Sequence, residues 1–446
     1  MNYGDTLILS CEGMGHIEHP NAHHELSTAT IICEGGDTFQ NEEWLNSPAP
    51  FSLFKCKFPP NYSSRRTDRL CFDDNRVMEV GYNVENVFYP LYETCFNEAG
   101  LNVIYSKYTQ RPYNSLYQTR VFRPFFIAND HYGYIPVDSL FSPSGQKMAV
   151  AQLVGPLIDT YITKTEFLSR GHLAAKTDFV FAFGERATFH YVNCAPQWTG
   201  FNGGNWNTLE VDLRNHIHTE GYHTIIYTGT YGVTKLHNVD GRKVEIYLHT
   251  DDNNNPVIPV PEYFYKVVYE PKRRCGIAFV GINNPYYTQV EARQKFFCDD
   301  LCRHNSNFSW LSWHPDNPIE GYTFCCSIPD FRTTVRHLPA LQVLLYVVLT
   351  LVFKESHGGI VKPKLDMINF DLKDGENYET ESQEKDAPQI LLKEHNQADE
   401  PTIFRLKRSD NVIEEENLGT TMSWYKVTWR YSRLDDNDSK FRNINS

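Results

Sequence analysis

Residues 168–210 carry four short motifs in close succession: Ser169-Arg170-Gly171-His172, Asn193-Cys194-Ala195-Pro196-Gln197, Asn202-Gly203-Gly204 and Trp206-Asn207-Thr208-Leu209-Glu210. Each brings one chemical capacity. The His172 imidazole accepts a proton near neutral pH. The planar guanidinium of Arg170 forks onto the oxygens of a phosphoryl group. The Asn202 amide offers a hard, neutral oxygen of the kind magnesium prefers, and Asn-Gly-Gly is a turn signal that would present it. Glu210 adds a carboxylate. A base that activates water, a cation that neutralises phosphoryl oxygens and a source of protons for the leaving oxygen are what phosphodiester hydrolysis needs. No second cluster of acidic ligands is present in this stretch, which argues against a two-metal mechanism. Cys194 lacks the histidine and asparagine arrangement of a thiol enzyme and reads as buried or bonded.

Positioning these groups needs strands ahead of them and a helix behind. Trp206, Leu209 and Leu213 fall on one face of a helix expected over residues 205–216, and Glu210 lies on its second turn. Strands are expected over 101–108, 178–183, 187–193, 224–230, 245–249, 265–269 and 275–281. A second helix is expected over 290–304, with Cys298 and Cys302 one turn apart. Aromatic residues make up 14% of the chain, including 27 Tyr and 28 Phe, which favours sheet. Mixed strands with few helices imply an α+β architecture. Residues 1–95 read as short strands broken by turns, with runs at Leu7-Ile8-Leu9, Ala29-Thr30-Ile31-Ile32 and residues 84–89, and form a small β-rich domain stapled by disulfides. The group His16, His19, His23, His24 and Glu25 in this region reads better as a solvated loop than as a metal site. Residues 96–337 form the second unit, 338–353 an apolar segment and 354–446 an acidic, weakly ordered tail.

In their order and spacing the four motifs resemble the DNA/RNA non-specific endonuclease family, the ββα-metal nucleases, over about residues 102–330. The N-terminal region is most similar to the arthropod members, which include secreted nucleases that degrade double-stranded RNA. The resemblance implies His172 as general base and Asn202 as the single protein ligand of one magnesium ion, with manganese or another divalent cation able to substitute. It further implies Glu210 in the water network around that ion, Arg170 on the scissile phosphate, and Asn193 and Gln197 in support. The substrates would be DNA and RNA, cut internally to leave 5′-phosphate and 3′-hydroxyl ends. Arg111, Arg120 and Arg123 are all candidates for a further family arginine upstream. The chain departs from the family's best-known form, which has aspartate where Ser169 stands.

Charge and cysteine content bound the alternatives. The net charge of −13 is unusual for a protein that grips phosphates, so any basic groove is local and long-range steering weak. Eleven cysteines, all between Cys11 and Cys326, point to an oxidising compartment and leave an odd thiol that permits a homodimer. Sequons at Asn61, Asn307 and Asn437 are compatible with export. An extracellular protein whose leader precedes this chain is the expectation, with mitochondrial residence or membrane anchoring as alternatives. As a helix, residues 338–353 would span ~24 Å, short of the roughly 30 Å hydrocarbon core, and a core element is the plainer reading. A catalytically inactive relative that binds nucleic acid and a secreted disulfide-rich binding protein are the competing functions.

Overall fold

The computed structural model describes residues 2–341 except 12, 14 and 42, together with residue 343 and the backbone of two strands, Ile390–Lys393 and Thr402–Lys407. Most of the apolar segment 338–353 and of the tail expected over 354–446 lies outside the described residues. No described helix is long and apolar enough to cross a membrane.

An eight-stranded antiparallel sheet forms the centre of the α+β fold. Its strands follow one another in chain order: Ser63–Leu70, Arg76–Val84, Val87–Asn97, Asn102–Gln110, Thr224–Val233, Pro261–Glu270, Cys275–Ile282 and Thr323–Ser327. The boundary expected at residue 95 falls inside the third of these strands. Residues 84–89, read as one run, instead fold back on themselves. Glu85 and Asn86 both take positive φ, as a tight hairpin turn requires, and Val84 pairs with Val87. A separate six-stranded sheet holds Thr6–Ser10, Thr28–Gly35, Thr38–Gln40 and Ala49–Pro50, with the two tail strands on the outer side of Thr6–Ser10. Burial alternates along Thr28–Gly35, so Ala29, Ile31 and Cys33 meet Leu7, Leu9 and Trp44 in a small core of their own. Cys11–Cys56 closes this unit.

The residues between Gln110 and Thr224 leave the central sheet as one long excursion and return to it. They contain the helix Pro143–Val154, the strand pair Leu168–His172 and Cys194–Trp198, and the helix Asn207–Glu220. Residues 178–183 and 187–193, expected as strands, are instead a helix Ala182–Ala187 between two short 3₁₀ turns, Lys176–Asp178 and Tyr191–Asn193. The reason lies in the sheet beneath. Tyr82, Tyr92 and Tyr62 donate their hydroxyls to the carbonyls of Phe183, Ala187 and Phe189, at 3.0, 2.9 and 3.1 Å. Those carbonyls are satisfied from below, and no partner strand is needed. The helix expected over 205–216 is present as Asn207–Glu220 and ends at Gly221, whose φ of +68° is the left-handed conformation of a helix C-terminus.

The helix expected over 290–304 shortens to Gln289–Arg293. Cys298 and Cys302 bond to the adjacent Cys326 and Cys325 of the last strand, which pulls the chain out of helical geometry. These two bridges fasten the loop that follows, including His314 to Glu320, to the sheet. Replacing Cys298 and Cys302 by serine should lower stability by about 2–5 kcal/mol per bridge, read as a fall in thermal midpoint under non-reducing conditions. A change within about 0.5 kcal/mol would mean the loop is held without them.

Candidate active site

The site begins as a five-residue antiparallel ladder. Ser169 pairs with Gln197, Arg170 with Pro196, Gly171 with Ala195 and His172 with Cys194. Gly171 is required there: a Cβ would lie 2.3 Å from Oε1 and 2.6 Å from Cβ of Gln197. The ladder is short, so side chains finish its edges. The buried Gln146 accepts from the Leu168 amide at 2.6 Å and donates to the Leu168 carbonyl at 3.1 Å, much as a third strand would. The Asn283 amide joins the ladder to the central sheet through Trp198 N and the Pro196 and Pro261 carbonyls.

Asn193 uses its whole side chain in the fold. Its oxygen accepts from Ser106 Oγ and the Ala174 amide, both at 2.8 Å. Its nitrogen donates to the Ala174 and Thr188 carbonyls, both at 3.0 Å. No atom is left for a ligand, and the effect is to hold the backbone that follows His172. Gln197 is also buried, but its amide atoms have no hydrogen-bond partner.

His172 packs between two aromatic rings, tilted against Phe126 at 5.0 Å and edge-on to Phe189 at 4.8 Å. Its Nε2 is buried without a hydrogen-bond partner among the described residues. Leaving a buried polar nitrogen unpaired costs roughly 1–3 kcal/mol, so the fold gains nothing from it. Burial pushes the imidazole down to about 3, and the positive charges of Arg123 and Lys176 add to this. The ring is therefore neutral at ordinary pH, and the same burial makes it a weaker base than a solvated imidazole. Of the three upstream arginines, Arg123 is the one whose charge reaches His172. Arg111 is turned toward His223 Nδ1, 3.0 Å away.

Arg170 lies two residues from His172, on the same face of the ladder. Its Nε donates to the Tyr191 hydroxyl at 2.7 Å and its Nη2 to an Asp138 carboxylate oxygen at 2.7 Å; the Tyr191 hydroxyl donates to that same oxygen. The guanidinium also rests over the rings of Phe126, Phe141 and Tyr191, at 5.6–5.9 Å. It is half-buried and held in a fixed plane.

Asn202 opens a widened π-helical turn, Asn202–Trp206, that leads into the Asn207–Glu220 helix. Such turns concentrate at functional sites. The turn is anchored through Asn205, which donates to the His314 and Gly321 carbonyls and accepts from the His314 amide. The orientation of Asn202 follows from hydrogen-bond accounting. Ser169 Oγ donates its one proton to the Gln197 carbonyl at 2.8 Å. Toward Asn202, 2.9 Å away, that oxygen can only accept. The nitrogen of the amide must therefore face Ser169, and Oδ1 is turned away and free to hold a cation. An amide oxygen is a hard, neutral donor that suits magnesium or manganese. Among the described residues the one other grouping of ligand type is Asp300, Cys302 and Cys325, and that disulfide leaves no thiolate to bind. In the N-terminal unit His16 pairs with Glu25 at 3.2 Å, while His19 is buried against Phe54 and Trp44.

Glu210 sits one turn into the helix above a buried charge network that sequence reasoning missed. Lys266 is wholly buried in the Pro261–Glu270 strand. It donates to Tyr108 and Thr228 hydroxyls, both at 2.9 Å, and lies 3.8 Å from Asp178. Asp178 also accepts from Tyr108 at 2.6 Å, from Gln110 at 3.1 Å and from Arg214 at 3.2 Å. Burial raises the Glu210 carboxyl to about 7, against the pull of Lys266 and with Asp178 adding to the rise. The signal for Lys266 was present: one lysine within Tyr263-Phe264-Tyr265-Lys266-Val267-Val268-Tyr269 is a costly placement unless paired. Cys194 is buried, outside any disulfide, and burial pushes its thiol well up, so it is no nucleophile.

Comparison with known proteins adds to this geometry. A family described as "DNA/RNA non-specific endonuclease" matches residues 73–331. The chain is 29% identical over 332 residues to the salivary endonuclease of Lutzomyia longipalpis, covering 74% of this chain and 73% of the relative. It is 27% identical over 359 residues to salivary protein Tsal2A of Glossina morsitans morsitans, covering 75% and 82%. A solved EndoG/EndoGI complex aligns with 43% of this chain and 71% of its own at 20% identity, with a TM-score of 0.28.

The buried histidines give this fold a signature in acid. His172 and His190 are both held down to about 3 by burial. Below an ordinary value of about 6.5 the unfolded chain binds protons that the folded chain refuses. Stability from these groups is thus complete above about pH 6.5 and lost as pH falls toward 3, by about 3 kcal/mol per histidine at pH 4. The thermal midpoint should drop steeply between pH 6.5 and 4, and less steeply in His172→Phe. Equal slopes in both proteins would contradict a neutral, buried His172.

Proposed function

The chain belongs to the DNA/RNA non-specific endonuclease family, and from that premise we propose that it hydrolyses phosphodiester bonds within DNA and RNA, double-stranded RNA included, using His172 as general base and one divalent cation held by Asn202. The observation that carries this reading is the neutral His172 whose buried Nε2 serves no structural purpose, two residues along a strand from a guanidinium held in place.

His172 takes a proton from the attacking water, as a neutral imidazole can. Arg170, fixed by Tyr191 and Asp138, binds a non-bridging phosphoryl oxygen and stabilises the charge that develops there. Asn202 would hold magnesium, or manganese in its place, and that cation would supply charge neutralisation at the phosphate and a proton source for the leaving 3′ oxygen. Glu210 orders water around Asn202, and the Lys266–Asp178–Arg214 network sets its position. The products carry 5′-phosphate and 3′-hydroxyl ends. Contacts of this kind read backbone and not base, so they carry no sequence information. An extracellular place of action is supported by four disulfides and by relatives named as salivary proteins.

Ser169 is better read as a positioning residue than as a mark of lost activity, because its hydroxyl dictates how Asn202 is turned. Loss of such a partner typically costs 10–100-fold. Ser169→Ala should lower cleavage by about that factor, whereas Ser169→Asp, which still accepts from the Asn202 amide, should lose less. Equal loss in the two variants would remove the orientation argument. For the reaction itself, supercoiled plasmid and long double-stranded RNA should be degraded with magnesium, spared with chelator, and cut at least about 1,000-fold more slowly by His172→Ala. Undiminished cleavage by that variant would exclude His172 as the base.

A further inference from the structure

Residues 118–127 cross beside His172 on a backbone that is pinned at Gln118, Val121 and Ile127. The Gln118 amide donates to the Val180 carbonyl at 2.9 Å, and the Gln118 side chain accepts from the Ala182 amide. Lys176 Nζ donates to the Val121 carbonyl at 3.2 Å. Ile127 donates to the Phe189 carbonyl at 3.1 Å and accepts from the Tyr191 amide at 2.9 Å. Pro124 fixes one φ in between. Two side chains turn inward: Val121 is buried, and Phe126 lies against His172. Two turn outward, Phe122 at 70% exposure and Phe125 at 91%. Arg120 and Arg123 are exposed beside them.

Neither exposed ring belongs to a core cluster or touches another ring among the described residues. A pinned backbone that holds two phenylalanines in water gains nothing for the fold, and exposed apolar groups of this kind mark interaction sites. The surroundings say which kind. In a chain of net charge −13, Arg120, Arg123, Arg170 and Lys176 gather here. Asp138 and Glu185 pair with Arg170 and Lys176, each at 2.7 Å, which leaves Arg120 and Arg123 as the cations here with no acidic partner among the described residues. Aromatic rings interleaved with arginines form the surface on which bases stack while phosphates meet guanidinium groups.

We propose that residues 120–125 are a base-stacking ledge: Phe122 and Phe125 take unpaired bases of a single-stranded nucleic acid whose phosphates run past Arg120 and Arg123 to His172. The inference rests on the nuclease reading above for its location and adds a substrate class. A duplex keeps its bases stacked on one another and has no faces to offer. The ledge therefore favours single strands and locally opened duplex over intact duplex.

The test is a binding measurement in chelator, where cleavage cannot intervene, on the full chain. The proteins are wild type, Phe122→Ala/Phe125→Ala and Phe122→Trp/Phe125→Trp; the probes are a fluorescent oligothymidine, a blunt duplex and an oligonucleotide containing 2-aminopurine. The alanine pair should bind the single strand about 10–100-fold more weakly, and the duplex within about twofold. It should also lose the 2-aminopurine quenching that reports stacking. The tryptophan pair should restore both affinity and quenching. Unchanged single-strand affinity, or equal losses for single strand and duplex, would each overturn the ledge. Magnesium-dependent plasmid nicking by wild type, run alongside, tests the nuclease reading separately. Its failure with Phe-dependent binding intact would sink that reading and keep the ledge.

Discussion

The pairing of Leu168–His172 with Cys194–Trp198 is the constraint on which the site depends. Side chains on a strand alternate between faces, so a slip of one residue would exchange the Arg170 and His172 face for that of Ser169 and Gly171. Five residue pairs alone hold such a register weakly. Here Gly171 admits the Gln197 side chain at a distance any larger residue would forbid, while Gln146, Asn193 and Asn283 hold the ladder's edges and ends. The same register sets Ser169 opposite Gln197, and its hydroxyl, committed to the Gln197 carbonyl, leaves only acceptor capacity for Asn202. One backbone ladder thereby orients both the histidine and the amide.

Beneath the helix a second constraint operates. Lys266, Asp178 and Arg214 are buried together, and an isolated charge at such depth would be heavily penalised. They persist because nearly every polar atom finds a partner: two hydroxyls for Lys266, three side-chain donors for Asp178, and Thr177 for Arg214. Through Arg214 the network fastens the Asn207–Glu220 helix to the central sheet.

Much of this was legible in the sequence. The four motifs between residues 168 and 210 were specific enough to point to the family, the α+β class followed from mixed strand and helix signals, and the Asn207–Glu220 helix was visible in the spacing of Trp206, Leu209 and Leu213. What could not be read depended on contacts between distant residues. Residues 178–183 and 187–193 have strand-like composition, but tyrosines of another sheet occupy their carbonyls. Residues 290–304 have helical periodicity, yet Cys298 and Cys302 are claimed by Cys326 and Cys325. Ser169 looked like a missing charge until its hydrogen bond to Asn202 was seen. Lys266 stood out in its strand as an anomaly, but which anion it met was a matter of tertiary structure. The domain limit expected at residue 95, where a run of short strands was read as ending, falls inside the Val87–Asn97 strand of the central sheet.

The claim on which the account turns is that Asn202, oriented by Ser169, holds a single divalent cation. Manganese binding followed by electron paramagnetic resonance tests it directly, without reference to turnover. Wild type and His172→Ala should each bind one ion per chain, and Asn202→Ala should bind at least about tenfold more weakly. Two ions per chain, or unaltered affinity in Asn202→Ala, would contradict the one-metal site.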